Sequence, residues 1–370
     1  MRAAVLAEVN KPMQVEELLD PSPRIGEVLV QVSMCGVCHS DLHVMKGEVT
    51  FPLPAVLGHE ISGVIVATGS GVLNVRAGDR VVSSFIIPCG LCPKCVRGEE
   101  DLCEAFGAMN RSRGVLYDGE TRIYRRDSSP VWMYSMGGLA QLCAVPATAV
   151  FCVPDRLKLS DVATLGCSSL TAYGAVKNAA HLQPGDSVAV VGVGGVGSSI
   201  VQLASLFGAS DIIAIDLSDE KLSAAVELGA TQTVRAADAD VRSQILDYTG
   251  GRGVDYAFEA FGSAKTFRTA ADCVADGGCV VVVGIAPAGA QAELDISRIA
   301  RRKLRVLGSY GARPRTDMPA LLRLVSRNVL RPERIVSRRF DLESVNDAYR
   351  ALAAGEILGR AVIDIGNADG

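Results

Sequence analysis

Four cysteines lie close together in a polar, loop-like part of the sequence, spaced C-x2-C-x2-C-x7-C: Cys89, Cys92, Cys95 and Cys103. Four thiolates this close along a chain can complete a tetrahedral shell around one Zn²⁺ without any other ligand. Bacterial iron–sulfur motifs begin with the same spacing but continue with x3-C-P, which the x7 gap of this chain does not match. The spacing therefore predicts a structural zinc site, with an iron–sulfur cluster as the alternative.

A glycine-rich turn follows a short apolar run over residues 188–191. Gly192, Gly194 and Gly197 form G-x-G-x-x-G at the start of a helical pattern, and the next apolar run ends in Asp216. The glycines allow, in turn, a tight turn, the approach of a pyrophosphate to the backbone, and close packing of helix on strand. A carboxylate at the end of the second strand can accept hydrogen bonds from the adenosine ribose. The segment therefore predicts a dinucleotide site.

The residues after the acid bear on the choice of dinucleotide. Leu217 and Ser218 follow Asp216, so no arginine or lysine stands beside it to receive a 2′-phosphate. This favours NAD over NADP.

Two kinds of sequence pattern predict two domains. Over residues 1–82, short strands are separated by turns, whereas over residues 169–309 strands alternate with helical patterns. Six such strands indicate a doubly wound parallel sheet. Beyond residue 310, two helical stretches and a last strand, GRAVIDI, are expected to return to the first domain. We predict an α/β fold: a mainly β catalytic domain over 1–168 with a return over 310–370, and a six-stranded Rossmann domain over 169–309.

Composition excludes several classes of protein. The chain has 370 residues, 49% of them hydrophobic, and a formal net charge of −4, which gives no basic field for nucleic acid. Glu8 interrupts the N-terminal apolar run, and no uncharged apolar segment is long enough for a membrane span. Eleven cysteines without a secretion signal favour thiols and metal ligands in a reducing compartment. We expect a cytoplasmic protein with neither a nucleic-acid nor a membrane partner.

Five motifs occur in a characteristic order: GVCHSD, GHE, the four-cysteine loop, LGCSSLTAYGA and GVGGVG. In this order and spacing they resemble the zinc-dependent alcohol dehydrogenases of the medium-chain dehydrogenase/reductase family, over essentially the whole chain. The resemblance implies a GroES-like catalytic domain, two zinc ions per chain, NAD, and a homodimer or homotetramer. It also implies a small alcohol or aldehyde as the substrate.

The resemblance assigns a second zinc site with an open position. Cys38, His59 and Cys167 are implied as catalytic zinc ligands, with water or substrate oxygen in the fourth place. Asp41 matches an acid that orients the ligand histidine, which fixes its tautomer. Glu60 matches a glutamate near the metal.

Ser40 and His43 match the family's proton path, from the alcohol oxygen to Ser40, the nicotinamide ribose, His43 and water. His39 and Arg360 match positions that contact the cofactor pyrophosphate, and Lys221 matches a lysine that reaches the adenosine ribose. The complete set of implied cofactor-binding residues is His39, Gly192, Gly194, Gly195, Val196, Gly197, Asp216, Lys221 and Arg360.

Apolar side chains are expected to line the substrate pocket, since Phe85, Phe106 and Met109 fall where relatives place such residues. The segment over residues 101–134 is similar in length to that of the liver-type enzymes and longer than that of the microbial ones. The size of the pocket and the oligomeric state stay open.

The predicted activity is reversible hydride transfer between a primary or secondary alcohol and NAD, giving an aldehyde or ketone. One alternative keeps the fold: a dehydrogenase for formaldehyde bound to a thiol, with the arginine-rich loop over 111–126 holding an anionic group. An alternative of another class is a non-enzymatic cofactor or metal sensor with a vestigial site.

Overall fold

Residues 1–237 and 240–366 are described by the structure, a computed structural model of the chain. They form two units, each with its own core. Of the described residues, unit 1 takes those within Met1–Leu170, Arg313–Asn328 and Val336–Gly370, and unit 2 takes those within Thr171–Ala312 and Val329–Ile335.

The strands are numbered in chain order. They are β1 Arg2–Leu6, β2 Gln14–Glu17, β3 Glu27–Val37, β4 Ala55–Val56, β5 Ile61–Thr68, β6 Arg80–Ser83, β7 Ile123–Tyr124, β8 Pro130–Met133, β9 Leu142–Pro146, β10 Val150–Cys152, β11 Ser187–Val191, β12 Asp211–Asp216, β13 Gln232–Arg235, β14 Val254–Glu259, β15 Val274–Val282, β16 Arg305–Gly308, β17 Val336–Asp341 and β18 Arg360–Asp364.

The α-helices are likewise numbered along the chain. They are α1 His39–Met45, α2 Pro93–Val96, α3 Leu159–Val162, α4 Ser168–Tyr173, α5 Gly195–Leu206, α6 Asp219–Glu227, α7 Val241–Tyr248, α8 Ala264–Cys273, α9 Ile296–Arg302, α10 Pro314–Ser326 and α11 Val345–Ala353. Tighter 3₁₀ turns cover Glu100–Leu102, Ala147–Ala149, Ala163–Gly166, Pro332–Ile335 and Leu342–Ser344, and wider π turns cover Phe106–Arg111 and Gly174–Ala179.

Unit 1 is mainly β, as predicted for the catalytic domain. One sheet has the strand order β2-β1-β4-β8-β7, and the other has the order β10-β6-β5-β3-β18-β17, with β9 also paired to β3. The long strand β3 is central because its alternate residues Val28, Val30 and Val32 are buried while Gln31 is exposed, the period of a strand with one face on the core. The last strand, β18, pairs antiparallel with the end of β3, opposite Cys35 and Val37.

Unit 2 contains the predicted doubly wound parallel sheet. Over the described residues its strand order is β13-β12-β11-β14-β15-β16, and all neighbours are parallel. Strand β11 is buried along its whole length, which explains its unbroken apolar sequence. The strand order reverses direction between β11 and β14, the position at which such sheets bind ligands outside the carboxyl ends of their strands.

The sequence analysis missed strand β17. Its sequence, VSRRFD, is mostly exposed and carries two arginines, so it has neither an apolar run nor a clear alternation. Pairing with β18 at the end of the sheet holds it in place instead.

Over residues 1–237 and 240–366, none of the helices has the length and apolar character needed to cross a membrane.

Candidate active site

Four buried side chains from separate parts of unit 1 converge in one place: Cys38, His59, Glu60 and Cys167. One possible ligand atom of each lies within 4.8 Å of those of the others. The structure thus brings together the three zinc ligands implied by the sequence and the glutamate expected near them.

Local backbone structure brings the three ligands to this place. Cys38 is the residue at which β3 has ended and α1 begins, and its extended conformation turns the chain into the helix. Before His59, Gly58 has φ +90°, a conformation that favours glycine. Before Cys167, the backbone passes so close to β6 that a Cβ on Gly166 would lie 2.5 Å from the carbonyl oxygen of Ser83. The local backbone conformation therefore sets the position of each of the three ligands.

His59 is oriented by a buried carboxylate on α1. Its Nδ1 lies 3.1 Å from Asp41 Oδ1, which also accepts a hydrogen bond from the Gly58 backbone N–H at 3.0 Å. The hydroxyl of Tyr349, on α11, donates to Asp41 Oδ2 at 3.0 Å. Since Nδ1 is engaged by Asp41, the other ring nitrogen of His59, Nε2, is left for a metal. The sequence indicated Asp41 but not Tyr349.

A buried ion pair lies beside the thiols. Arg360, at the start of β18, places Nη2 2.8 Å from Glu60 Oε1 and 3.5 Å from Cys38 Sγ. Despite the ion pair, neither oxygen of Glu60 has a partner with hydrogen-bond geometry among the described residues. Burial raises the pKa of Glu60 to about 7, although the charge of Arg360 opposes this. Arg360, predicted to contact a pyrophosphate, is thus buried against the ligand set in this structure.

The ligand side chains perturb one another. A hydrogen bond from the Cys167 thiol and the charge of Arg360 hold the pKa of Cys38 well below its usual value, while the same thiol contact and burial raise the pKa of Cys167. Burial alone would lower the pKa of His59, but the charges of Asp41 and Cys38 outweigh it and raise that pKa. The lowered pKa favours the thiolate form of Cys38, which is the form that binds a metal.

The donor set fits zinc. Two thiols and one imidazole are borderline-soft ligands of the kind Zn²⁺ prefers, and in a tetrahedral shell such atoms lie roughly 3.4–3.8 Å apart. The observed limit of 4.8 Å between ligand atoms is compatible with that shell after small adjustments.

The four-cysteine loop forms a second cluster. The four sulfur atoms of these cysteines all lie within 4.8 Å of one another. Backbone N–H groups of Cys92 and Cys95 donate to the sulfurs of Cys89 and Cys92 at 3.3 and 3.5 Å, and that of Phe106 donates to Cys103 at 3.4 Å. The hydrogen bond from Cys95 lowers the pKa of Cys92 to about 6. Donors aimed at sulfur stabilise thiolates, so this loop also fits one zinc ion.

The loop is anchored by a buried glutamate that the sequence analysis did not single out. Glu100 accepts hydrogen bonds from the side chain of Arg315 and, at 2.9 Å, from its backbone N–H. Arg315 lies in the first turn of α10, and its Nη2 also donates to the Cys95 carbonyl at 3.4 Å. No spacing rule could have indicated this pair, because the two residues lie 215 positions apart.

The residues implied in proton transfer lie on α1. Ser40 and His43 are both partly exposed, and His39 is exposed. His43 Nδ1 contacts the carboxylate of Glu48, whose backbone N–H donates back to the His43 carbonyl at 2.9 Å. The tight return of the chain after α1 therefore holds the imidazole of His43.

In unit 2, the glycine turn has the geometry that its sequence indicates. Gly192 has φ +91°, and a Cβ on Gly197 would lie 1.9 Å from the Gly192 carbonyl oxygen, so α5 packs directly on the turn. A Cβ on Gly194 would meet nothing within 4 Å, so its backbone faces open space that a phosphate can enter. Asp216 Oδ2 accepts a hydrogen bond from the Val193 N–H at 2.8 Å, which ties the end of β12 to the turn.

Three further implied cofactor residues lie on helices of unit 2. Gly195 and Val196 are the first residues of α5, whose N–H groups would face a bound phosphate. Lys221 is in the first turn of α6, where its backbone N–H donates to the Ser218 hydroxyl at 3.3 Å.

Aromatic rings surround His59. The ring of Phe85 lies 6.0 Å from the imidazole, and that of Tyr134, which the sequence analysis missed, lies 5.9 Å from it. Phe106 is buried and Met109 is partly buried on the π turn that follows the four-cysteine loop. Phe85 and Tyr134 thus lie beside His59, whereas Phe106 lies next to Cys103 of the four-cysteine loop.

Arginines of the arginine-rich loop are paired within unit 1. The carboxylate of Glu27 receives both Nε and Nη2 of Arg122, at 2.9 and 2.6 Å. Arg125 forms an ion pair with Glu16 at 3.0 Å, and Arg126 forms one with Glu17 at 2.5 Å. These cations therefore already have anionic partners.

Two family models match the chain. The alcohol dehydrogenase GroES-like domain matches residues 24–155, and the zinc-binding dehydrogenase domain matches residues 195–327. They correspond to the mainly β unit and to the parallel sheet, respectively.

Similar proteins include an S-(hydroxymethyl)glutathione dehydrogenase from Synechocystis sp., 34% identical, with 98% of this chain and 99% of the relative covered. An NDMA-dependent alcohol dehydrogenase from Amycolatopsis methanolica is 34% identical over 96% of both chains. The crystal structure of a benzyl alcohol dehydrogenase from Acinetobacter calcoaceticus matches with a TM-score of 0.92 and 29% identity over 99% of both chains. The chain therefore belongs to the zinc-binding alcohol dehydrogenases of the medium-chain dehydrogenase/reductase family, and it is an oxidoreductase.

Proposed function

We propose that this oxidoreductase transfers hydride reversibly between a primary or secondary alcohol and NAD. The observation that carries the proposal is the buried set of Cys38, His59 and Cys167, whose three donors leave a fourth tetrahedral position for a substrate oxygen. We assign the four-cysteine loop to a second, structural zinc, since its four sulfurs close a shell. The catalytic domain is assigned to 1–168 with 310–370, and the cofactor domain to 169–309.

The two bound groups divide the chemistry. When bound, zinc supplies a Lewis acid that makes an alcohol more acidic, and the nicotinamide supplies a hydride acceptor. Asp41 keeps the imidazole of His59 in one tautomer and one orientation. Ser40 would accept the alcohol proton, and His43, held by Glu48, would pass it to solvent.

NAD is favoured by the position of Asp216. Its Oδ1 accepts hydrogen bonds from the backbone N–H groups of Leu217 and Ser218 at 2.8 and 3.2 Å, which fixes the carboxylate at the end of β12. A fixed negative charge there can bind ribose hydroxyls and would repel a 2′-phosphate.

The aromatic wall favours apolar alcohols. Phe85 and Tyr134 flank His59, and Phe51 packs edge-on against Tyr134 with ring centroids 5.1 Å apart. Aromatic contacts are worth about 0.5–1.5 kcal/mol beyond the area they bury, so alcohols that carry a ring or an allylic group should be preferred over ethanol.

The test is a screen of primary, secondary, allylic and aromatic alcohols with NAD, NADP and NDMA, with metal analysis of the same preparation. We expect two zinc ions per chain, turnover with NAD, and loss of turnover in Cys167→Ser with the chain still folded. Cys143→Ser is the matched control, because Cys143 is buried in unit 1 but belongs to neither cluster. Iron in the preparation, or full activity in Cys167→Ser, would contradict the proposal.

A thiol-adduct dehydrogenase is the second candidate, favoured by the relatives named S-(hydroxymethyl)glutathione dehydrogenase. The pairing of Arg122, Arg125 and Arg126 with glutamates weighs against the arginine-rich loop as its anion site. Oxidation of formaldehyde that appears only after addition of glutathione would establish this candidate.

A homodimer is proposed through the edge of the parallel sheet. Strand β16 ends that sheet over the described residues, and its Val306 is 42% exposed, while Ile296 on the preceding helix α9 is 81% exposed. An exposed strand edge with apolar side chains favours pairing with another strand. A cytoplasmic location is proposed as well, because the cysteines of both clusters must stay reduced to bind metal.

A further inference from the structure

A chain of hydrogen bonds connects the helix α11 to the proposed zinc ligand His59. The hydroxyl of Tyr349 donates to Asp41 Oδ2 at 3.0 Å, and Asp41 Oδ1 lies 3.1 Å from His59 Nδ1. All three side chains are at most 2% exposed. Since Tyr349 is 308 positions from Asp41 in sequence, the contact depends on the tertiary fold of unit 1.

The carboxylate of Asp41 has a different task at each oxygen. Oδ1 accepts from both His59 and the Gly58 backbone N–H, and Oδ2 accepts from Tyr349. A buried carboxylate that lacks a donor on one oxygen loses a charge-assisted hydrogen bond and becomes free to rotate about its Cβ–Cγ bond. The hydroxyl on Oδ2 therefore restricts the direction in which Oδ1 points.

Tyr349 itself is held rigidly. On the same helix, the side-chain amide of Asn346 accepts from the Met13 N–H and donates to the Met13 carbonyl, both at 2.9 Å. Val345 and Ala348 of α11 are fully buried. The position of Tyr349 is therefore fixed by the packing of α11 and by the two hydrogen bonds between the Asn346 side chain and the Met13 main chain.

We propose that Tyr349 is a positioning residue for the metal site: through Asp41 it fixes the ring of His59 with Nε2 directed into the ligand set. This inference rests on the proposed zinc ligands. Groups that orient a ligating histidine commonly change metal affinity by 10–100-fold when removed. Tyr349 acts one residue further out, so removal of its hydroxyl should lower the metal affinity by a smaller factor, about 3–10-fold.

The experiment uses the zinc-loaded full chain and the variant Tyr349→Phe, which removes only the hydroxyl. Zinc release to a chromogenic chelator is followed over time. We expect release from the catalytic set to become about 3–10-fold faster, with release from the four-cysteine loop unchanged. Tyr173→Phe is the matched control, because Tyr173 is buried at 5% exposure in unit 2 and has its ring packed against Phe207.

Two further readouts separate positioning from general loosening. The double variant Asp41→Asn/Tyr349→Phe should release zinc no faster than Asp41→Asn alone, since both changes act on one path. In the cobalt-substituted chain, the ligand-field bands should shift in Tyr349→Phe and stay parental in Tyr173→Phe. The proposal would be overturned if Tyr349→Phe released zinc at the parental rate and kept the parental cobalt spectrum. It would also be overturned if zinc release became faster by the same factor at both zinc sites.

A failure of the zinc assignment is distinguishable from a failure of this inference. Cys167→Ser that retains both zinc ions would contradict the ligand assignment itself. Loss of one zinc ion in Cys167→Ser, together with parental release in Tyr349→Phe, would overturn the role of Tyr349 alone.

Discussion

The side chains of the candidate site differ in how far along the sequence their hydrogen-bond partners lie. His43 is held by Glu48 within the same turn of chain, whereas Asp41 receives Tyr349 from the far end of the sequence. We expect the first kind of contact to affect one step of the proposed proton transfer. We expect the second kind to affect the proposed metal site as a whole.

The proton path gives a prediction at this scale. His43→Gln removes the terminal base but leaves both metal clusters and the glycine turn intact, so alcohol oxidation should slow at neutral pH and recover with added imidazole. Ser40→Ala interrupts the path at its inner end, so imidazole should not restore it. The measurement is a pH–rate profile of both variants with and without imidazole. Parental rates in His43→Gln, or equal rescue of both, would contradict the path.

Asp216 gives a second prediction. Asp216→Gly removes the charge that repels a 2′-phosphate and the ribose hydrogen bonds, together worth about 2–4 kcal/mol. The ratio of kcat/KM for NAD over NADP should therefore fall, mostly through weaker NAD binding, since the Val193 N–H also loses its acceptor. Glu220→Gln, on the next helix, is the control and should keep the parental ratio. A parent that uses both cofactors equally well would contradict this prediction.

At the scale of elements, the glycine turn and helix α5 can be tested with one pair of variants. A Cβ on Gly197 would overlap the Gly192 carbonyl, so Gly197→Ala should cost at least about 3 kcal/mol of unfolding free energy. A Cβ on Gly194 faces open space, so Gly194→Ala should change that free energy by less than about 0.5 kcal/mol.

The same pair separates folding from cofactor binding. Gly194→Ala should still lower the affinity for NAD by about tenfold, which corresponds to about 1.4 kcal/mol of binding free energy. The reason is that the new methyl group occupies the space into which the backbone faces. Denaturant titration and calorimetric NAD binding are the measurements. Unchanged NAD affinity in a folded Gly194→Ala would show that the pyrophosphate lies elsewhere.

The four-cysteine loop and helix α10 give a further prediction. Glu100 is 2% exposed and paired with the exposed Arg315, so Glu100→Gln should lower the free energy of unfolding by about 1–3 kcal/mol and speed zinc release from the loop. Its neighbour Glu99 pairs with Lys94 at the surface, so Glu99→Gln should change the free energy of unfolding much less. Thermal unfolding and chelator kinetics compare them, and equal effects of the two variants would contradict an anchoring role for Glu100.

The sequence predicted those parts of the site that depend on short spacing. The four-cysteine loop and the glycine turn each lie within one short segment, and the structure shows both with the expected local geometry. Tyr134, Tyr349 and Arg315 escaped prediction because their partners come from distant segments, and no pattern along the chain relates them. Cys38, His59 and Cys167 are similarly distant, and only the family resemblance joined them.

Fold prediction succeeded for a similar reason. The alternation of strands and helices over residues 169–309 indicated a doubly wound sheet, and the six strands, their order and the turn after β11 confirm it for the described part of the chain. Strand β17 was missed because it is held by its neighbour β18 and not by its own apolar pattern. The roles of the individual site residues stay predictions until variants are measured.

At the scale of the whole molecule, the exposed edge of the parallel sheet predicts the oligomeric state. Val306→Lys places a charge on β16 and should convert a dimer into a monomer, because an edge lysine opposes strand pairing. Val226→Lys is the control, since Val226 is 53% exposed but lies on helix α6 and not on a strand. Sedimentation measures both variants, and a dimer that persists in Val306→Lys would exclude this edge as the interface.

The return of α11 and β18 to the beginning of unit 1 has a consequence for the biosynthesis of the protein. The cysteines of the four-cysteine loop leave the ribosome early and lie within one short segment, so that loop can take up its metal while translation continues. Tyr349 and Arg360, which complete the surroundings of Cys38 and His59, lie 308 positions after Asp41 and 322 positions after Cys38, respectively. The surroundings of Cys38 and His59 can therefore be completed only after the segments of unit 2 have been synthesised.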